Sequence, residues 1–178
     1  MINKKLSDIG LNDIKLLITN AVKEGRTIEY KSQMYSNNDK DRKELLADVS
    51  SFANKEGGDL IIGVTEKNGI AVKCDGIRLD DIDKTIQQLD SIILAGLEPR
   101  INYNIVPVPI NDSTYVIVIR ISRSWNGPHR VVLKDNGKFY SRNSSGKYPL
   151  DTFDLRTAFT YTQQIEEKIN RFRMERVF

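Results

Sequence analysis

The chain has 178 residues, 39% hydrophobic and 29% charged, with a net charge of +3, which suits one globular domain with a real core. One cysteine, Cys74, and one histidine, His129, exclude an internal disulfide, a Cys-rich zinc site and a His-based metal or proton-transfer cluster, so any metal falls to carboxylates, which favours Mg2+ or Mn2+. No apolar run approaches the roughly 20 residues of a membrane span, and MINKKLSDIG carries no apolar segment behind its charges, so a cytoplasmic, reducing location is expected.

No repeat, low-complexity tract or linker interrupts the chain, and a single domain is expected. Ile14, Leu16, Leu17, Ile18, Ala21 and Val22 give helical spacing over 11–22. Residues 27–31 alternate as a strand, with Ile28 and Tyr30 on one side and Thr27, Glu29 and Lys31 on the other. After a polar loop over 36–42, Leu45, Val49 and Phe52 mark a helix over 41–54, which Gly57-Gly58 ends. Residues 60–64 form a buried strand, 65–69 a turn and 70–74 a returning strand.

Ile82, Ile86, Leu89 and Ile93 share one face of a helix over 80–94. Strands follow over 101–108 and 114–121, and the second, containing YVIVIRI, is apolar enough to be central in its sheet. A hairpin joins 131–133 to 138–142 around Asp135-Asn136-Gly137. Asp151 caps a final helix over 151–178 with Leu155, Phe159, Ile165, Ile169 and Phe172 as inner positions. The fold class expected is α+β, a mixed β-sheet with helices packed mainly on one face.

Glu29 and Lys31, two apart on a strand, point to one face. A carboxylate and an ammonium so placed serve metal-dependent nucleases, the first binding the ion and the second steadying charge. They also alternate on many exposed strands. Glu24 and Glu66 converge with Glu29 if the two strands pair, as a cation site or as three separate surface glutamates. Gly57-Gly58-Asp59 is read as helix-ending and close-packing rather than phosphate-cradling. No G-x-x-x-x-G-K-S/T pattern occurs, so no nucleotide cofactor is indicated.

The segment 120–147 holds Arg120, Arg123, Arg130, Lys134, Lys138, Arg142 and Lys147 against Asp135 alone. Such segregation presents a basic stripe to phosphate, or else gives solvated strand faces. His129, between Arg123 and Arg130, and Arg142 suit phosphate contact, and Trp125 suits stacking on a base.

EGRTIEYK, then LLADVSSFANKEGGDLIIGV, then SRSWNGPHRVVLKDNGKFYSRNSSG resemble the Schlafen-type AlbA domain family in order and spacing, over about 24–150. Residues 1–23 then stand as an N-terminal helical extension and 151–178 as a C-terminal helix. The resemblance implies an α+β domain that binds RNA or DNA. In bacteria such domains often head longer regulators or ATP-binding proteins; no helicase or ATPase motif follows here. In vertebrate Schlafens, two tandem copies form a groove that binds and, in some members, cleaves tRNA-like or ribosomal RNA with three carboxylates and a divalent ion. By motif position these fall on Glu24, Glu29 and Glu66, with Lys31 beside them. The last is usually Asp in cleaving members, and Glu is one methylene longer. A single copy implies a homodimer to build the same groove.

Three readings follow. The first is a non-catalytic nucleic-acid-binding module serving regulation or defence. The second is a metal-dependent endoribonuclease. The third is a protein–protein interaction module using the last helix, with Phe172, Met174, Val177 and Phe178 near its end.

Overall fold

Strand TYVIVIRI is apolar through its middle, Val116–Ile119, because both of its faces are covered there. In the computed structural model, which describes residues 1–174, it is the hub of one mixed sheet. The elements run α1 (Leu11–Thr19), β1 (Ile28–Lys31), α2 (Asp39–Ala53), β2 (Gly58–Ile62), β3 (Val64–Lys67), β4 (Ile70–Cys74) and β5 (Ile77–Arg78). Then come α3 (Ile82–Gly96), β6 (Leu97–Glu98), β7 (Tyr103–Asn111), β8 (Thr114–Ile121), β9 (Arg130–Val131), β10 (Tyr140–Asn143), β11 (Gly146–Pro149) and α4 (Thr152–Met174). Along one edge, β8 pairs antiparallel with β7; along the other it pairs with β2 and β5. β1 joins parallel to β2, making the sheet mixed as expected.

Side-chain alternation sorts the core into two layers. Leu60, Ile62, Ile117, Ile119 and Ile121 pack under α2 and α3. Ile28, Tyr30, Ile61, Val116 and Val118 pack on the other face, against Ile14 and Leu17 of α1 and Val64 and Ala71 of the β3–β4 hairpin. The two long packed helices thus share one face, while α1 and a hairpin close the other. Of residues 1–23, Ile9, Ile14 and Leu17 are buried in this layer. The Ile2 amide donates to Asp59 Oδ2 at 2.6 Å.

Asn38 caps α2, accepting from the Asp41 amide at 2.8 Å, so the helix starts earlier than its apolar spacing suggests. Its end lies close on the sheet at Gly58. A Cβ there would sit 2.4 Å from Phe52 Cε1 and 2.7 Å from the Thr27 carbonyl oxygen, so only glycine permits the approach. Gly63, at φ +101°, splits the expected 60–64 strand between β2 and β3.

The expected hairpin over 131–142 does not form. Lys134 takes a left-handed conformation at φ +48° and Asn136 a right-handed one at φ −56°, which is not the turn that joins two strands tightly. β9 pairs with β6 instead, and only a single bridge, Arg130 with Phe139, links the two segments. β10 turns back on β11, with Asn143 Oδ1 accepting from the Ser145 amide at 2.8 Å.

Asp151 caps α4 as expected, its Oδ1 accepting from the Asp154 amide at 2.8 Å. Of the expected inner positions, Leu155 and Ile165 are half-buried, but Phe159, Ile169 and Phe172 are exposed. The helix runs along the domain's flank; Phe159 meets Phe139 edge-on, ring centres 6.0 Å apart. Val177 and Phe178 lie outside the described residues. No helix among the described residues is long and apolar enough to cross a membrane.

Candidate functional site

The β1 alternation sends Ile28 and Tyr30 into one core layer, which forces Glu29 and Lys31 toward the other. They therefore share a face as expected, but it is the face that α2 covers. Glu29 Oε1 accepts from Lys31 Nζ at 2.9 Å, and Oε2 from Arg142 Nη2 at 2.5 Å. Arg142 is fully buried. It also donates to the Gly25 carbonyl at 3.1 Å and to Ser51 Oγ at 3.3 Å, and its guanidinium lies 3.7 Å from the centre of the Phe52 ring. Beside it, buried Asp48 accepts from Lys147 Nζ at 2.6 Å and from the Tyr35 hydroxyl at 2.7 Å, with Lys31 Nζ at 3.5 Å. Lys147 reaches Glu44 at 2.5 Å.

Buried charges persist only when paired, and here each is. Burial works to raise the Glu29 carboxyl, but Lys31 and Arg142 outweigh it and hold it below the usual range. For Asp48 burial prevails over Lys147 and Lys31, and its carboxyl is pushed up. Burial opposes the charge on Lys31, yet Asp48, Glu29 and Glu44 together raise its pKa.

The chain folds Glu24 and Glu66 toward this end of the sheet. Burial first, then the negative charges of Glu29 and Glu66, push the Glu24 carboxyl up, against a hydrogen bond that lowers it. The three carboxylates are nonetheless engaged separately. Glu24 Oε1 accepts from the Tyr30 amide at 2.7 Å, Glu66 Oε2 from the Gly69 amide, and both Glu29 oxygens are held by cations. Among the described residues, no three His, Cys, Asp or Glu side chains are grouped to hold a metal ion. This donor set does not fit Mg2+ or Mn2+, which needs several free oxygens around one point.

The segment 120–147 is not one basic stripe. Arg120 grips buried Asp59 through Nε at 2.7 Å and Nη2 at 3.0 Å, and donates to the carbonyls of Ile2 and Lys4. Arg142 and Lys147 are spent in the network under α2. His129 is fully buried, and its Nδ1 donates to the Pro99 carbonyl at 2.7 Å. Its Nε2 has no hydrogen-bond partner among the described residues. Burial lowers the His129 pKa, opposed by the Pro99 bond. Arg130 pairs with Glu98 and Lys134 with Asp39, all four exposed, and Lys138 is exposed.

Asn54, the asparagine of the FAN motif, organises this region, a role its sequence context did not show. Its Oδ1 accepts from the His129 amide at 2.7 Å, and its Nδ2 donates to the carbonyls of His129 at 2.9 Å and Tyr140 at 2.8 Å. One side chain thus ties the end of α2 to two distant strands. Over this clasp opens a cleft of about 460 Å³ between the end of α2, the loop 122–128, the β10–β11 hairpin and the first half of α4.

Two of its lining residues, Arg123 and Trp125, stack on each other, the guanidinium carbon 4.5 Å from the ring centre. Trp125 is 57% exposed. Arg123 Nη2 lies 3.5 Å from the Tyr161 hydroxyl, and Thr162 Oγ1 anchors α4 by donating to the Gly127 carbonyl at 2.7 Å. Lys55 and Tyr148 add a cation and a third aromatic ring. Lys55, Tyr148 and Tyr161 escape a linear reading because three separate segments supply them.

A mixed sheet under α2, with Asn54 tying the end of that helix to the segments at His129 and Tyr140, and with the FAN, GG and P-H motifs each at a structural joint, defines an α+β domain of one family. The profile described as Schlafen, AlbA_2 matches residues 24–151, and the chain belongs to that family. No curated protein matches the chain. Among solved structures, the DIP2311 protein from Corynebacterium diphtheriae is similar at a TM-score of 0.50 and 17% identity, which speaks for the fold alone. The match covers 78% of this chain but 29% of that one. The N-terminal domain of a RecG-related protein from Nitrosomonas europaea, whose name includes the words ATP-dependent DNA helicase, aligns at a TM-score of 0.49 and 22% identity, covering 70% of this chain and 82% of that one.

Proposed function

We propose that this chain is a nucleic-acid-binding domain serving a regulatory or defence role. The observation that carries this reading is Arg123 lying on exposed Trp125 beside Lys55, at the mouth of a cleft. Cations interleaved with accessible aromatic rings are what nucleic acid offers partners to, phosphate for the first and base faces for the second. Family membership supports the same reading. The alternative of a metal-dependent endoribonuclease is less well supported, because both Glu29 oxygens are held by cations.

Trp125 is the only tryptophan, so its fluorescence reports on the cleft without labels. Titration with tRNA is expected to quench it, with plasmid DNA titrated alongside as the duplex. The affinity should fall with salt at a log–log slope of about −0.7 per neutralised phosphate for single strands and about −0.9 for duplex. An affinity that is weak and flat between low and moderate salt for both polymers overturns the proposal.

A further inference from the structure

The cleft's contents narrow the kind of nucleic acid, on the reading that the chain binds one at all. Its volume of about 460 Å³ lies within the ~300–1,000 Å³ of small-ligand pockets, not that of a flat track. Its charges are mixed: Lys55 and Arg123 share it with Glu56 and Asp154. A surface shaped to follow a phosphate backbone gains nothing from two carboxylates, which repel that backbone. An unpaired base tolerates them, because amino groups on its edge donate to carboxylates. Three aromatic residues, Trp125, Tyr148 and Tyr161, line the same space, and only a base outside a stack offers its faces to such rings.

We propose that the cleft receives a single unpaired base from a single-stranded segment. Trp125 is the stacking platform, Arg123 and Lys55 hold the flanking phosphate, and the Asp154 and Glu56 carboxylates, the latter in an exposed pair with Arg26 at 3.4 Å, favour bases that carry an amino group. Of the three rings Trp125 is the most exposed, at 57%. Because Arg123 already rests on one face of the ring, the guanidinium is positioned before binding, which lowers the ordering cost.

The test is fluorescence anisotropy of end-labelled oligonucleotides with the full chain, comparing a single strand with the same strand in a duplex. Trp125→Ala is expected to weaken single-strand binding by about 5- to 150-fold, the range for losing one base–aromatic stack, and to leave duplex binding unchanged. Trp125→Phe restores most of the loss, which a merely structural effect would not. Oligo-C should bind more tightly than oligo-U, and Asp154→Asn should narrow that difference. If the wild type binds with a clear salt slope but Trp125→Ala matches it on single strands, the base pocket is wrong and the nucleic-acid reading stands. If neither form of nucleic acid binds with a salt slope, the broader reading is wrong as well. Equal binding of oligo-C and oligo-U overturns the role given to the carboxylates.

Discussion

Two regions of this molecule are rich in cations, and they use them in opposite ways. Under α2, Lys31, Arg142 and Lys147 are consumed by Glu29, Asp48 and Glu44. At the cleft, Arg123 rests on an exposed ring and Lys55 reaches solvent. The first cluster joins β1, α2 and the β10–β11 hairpin, so its charges act as internal rivets. The second leaves its charges available to an outside anion. A basic residue therefore informs on binding only once its partner is known, and the sequence does not name the partner.

The largest expected effect breaks a rivet. Arg142→Ala removes a fully buried cation and strands Glu29 with Lys31 alone. Loss of one partner of a buried pair costs about 3–5 kcal/mol. Thermal denaturation should then fall by roughly 6–20 °C, at ~2–4 °C per kcal/mol for a chain of this size. An effect near zero would mean that the cluster is solvated, and the contrast between the regions would dissolve.

A smaller effect sharpens the contrast at His129, which the sequence placed with the phosphate contacts and the fold buries. Its pKa is depressed in the folded state, so the unfolded chain takes up the proton first. Its contribution is therefore present above the unfolded value of about 6.5 and is lost as pH falls toward the lower folded one. His129→Gln should show a shallower decline in melting temperature between pH 7.5 and 5.5. Parallel curves would contradict burial of a neutral ring. As the chain has one histidine, no other imidazole confuses the comparison.

The smallest effects belong to the exposed pairs. Arg130→Ala and Lys134→Ala each disrupt a surface ion pair, and such pairs contribute about 0–1 kcal/mol. Their melting temperatures should stay close to wild type. A drop as large as that of Arg142→Ala would show that these pairs also rivet the fold.

Much of the fold was legible because periodicity survives folding. The apolar face of Ile82, Leu89 and Ile93 did become α3, and YVIVIRI did become the hub strand. The same alternation correctly paired Glu29 with Lys31 on one face. It could not say what covered that face, so a pair that suits a nuclease edge became part of an internal network. The hairpin over 131–142 failed for a related reason. Asn136-Gly137 favours a tight turn locally, but in the fold β9 pairs with β6 and β10 with β11.

By itself, then, the sequence determined the family, the α+β class, the central strand and the cap of α4, since these rest on spacing, propensity and local hydrogen bonds that neighbouring residues carry among themselves. Tertiary structure alone decided which charges are free. Arg123 and Arg142 have the same chemistry and lie in the same segment, yet one meets water over Trp125 and the other meets Glu29 and Phe52. For Arg142 that choice depends on Glu29, 113 positions away, brought to it only when α2 and the β10–β11 hairpin close over the sheet.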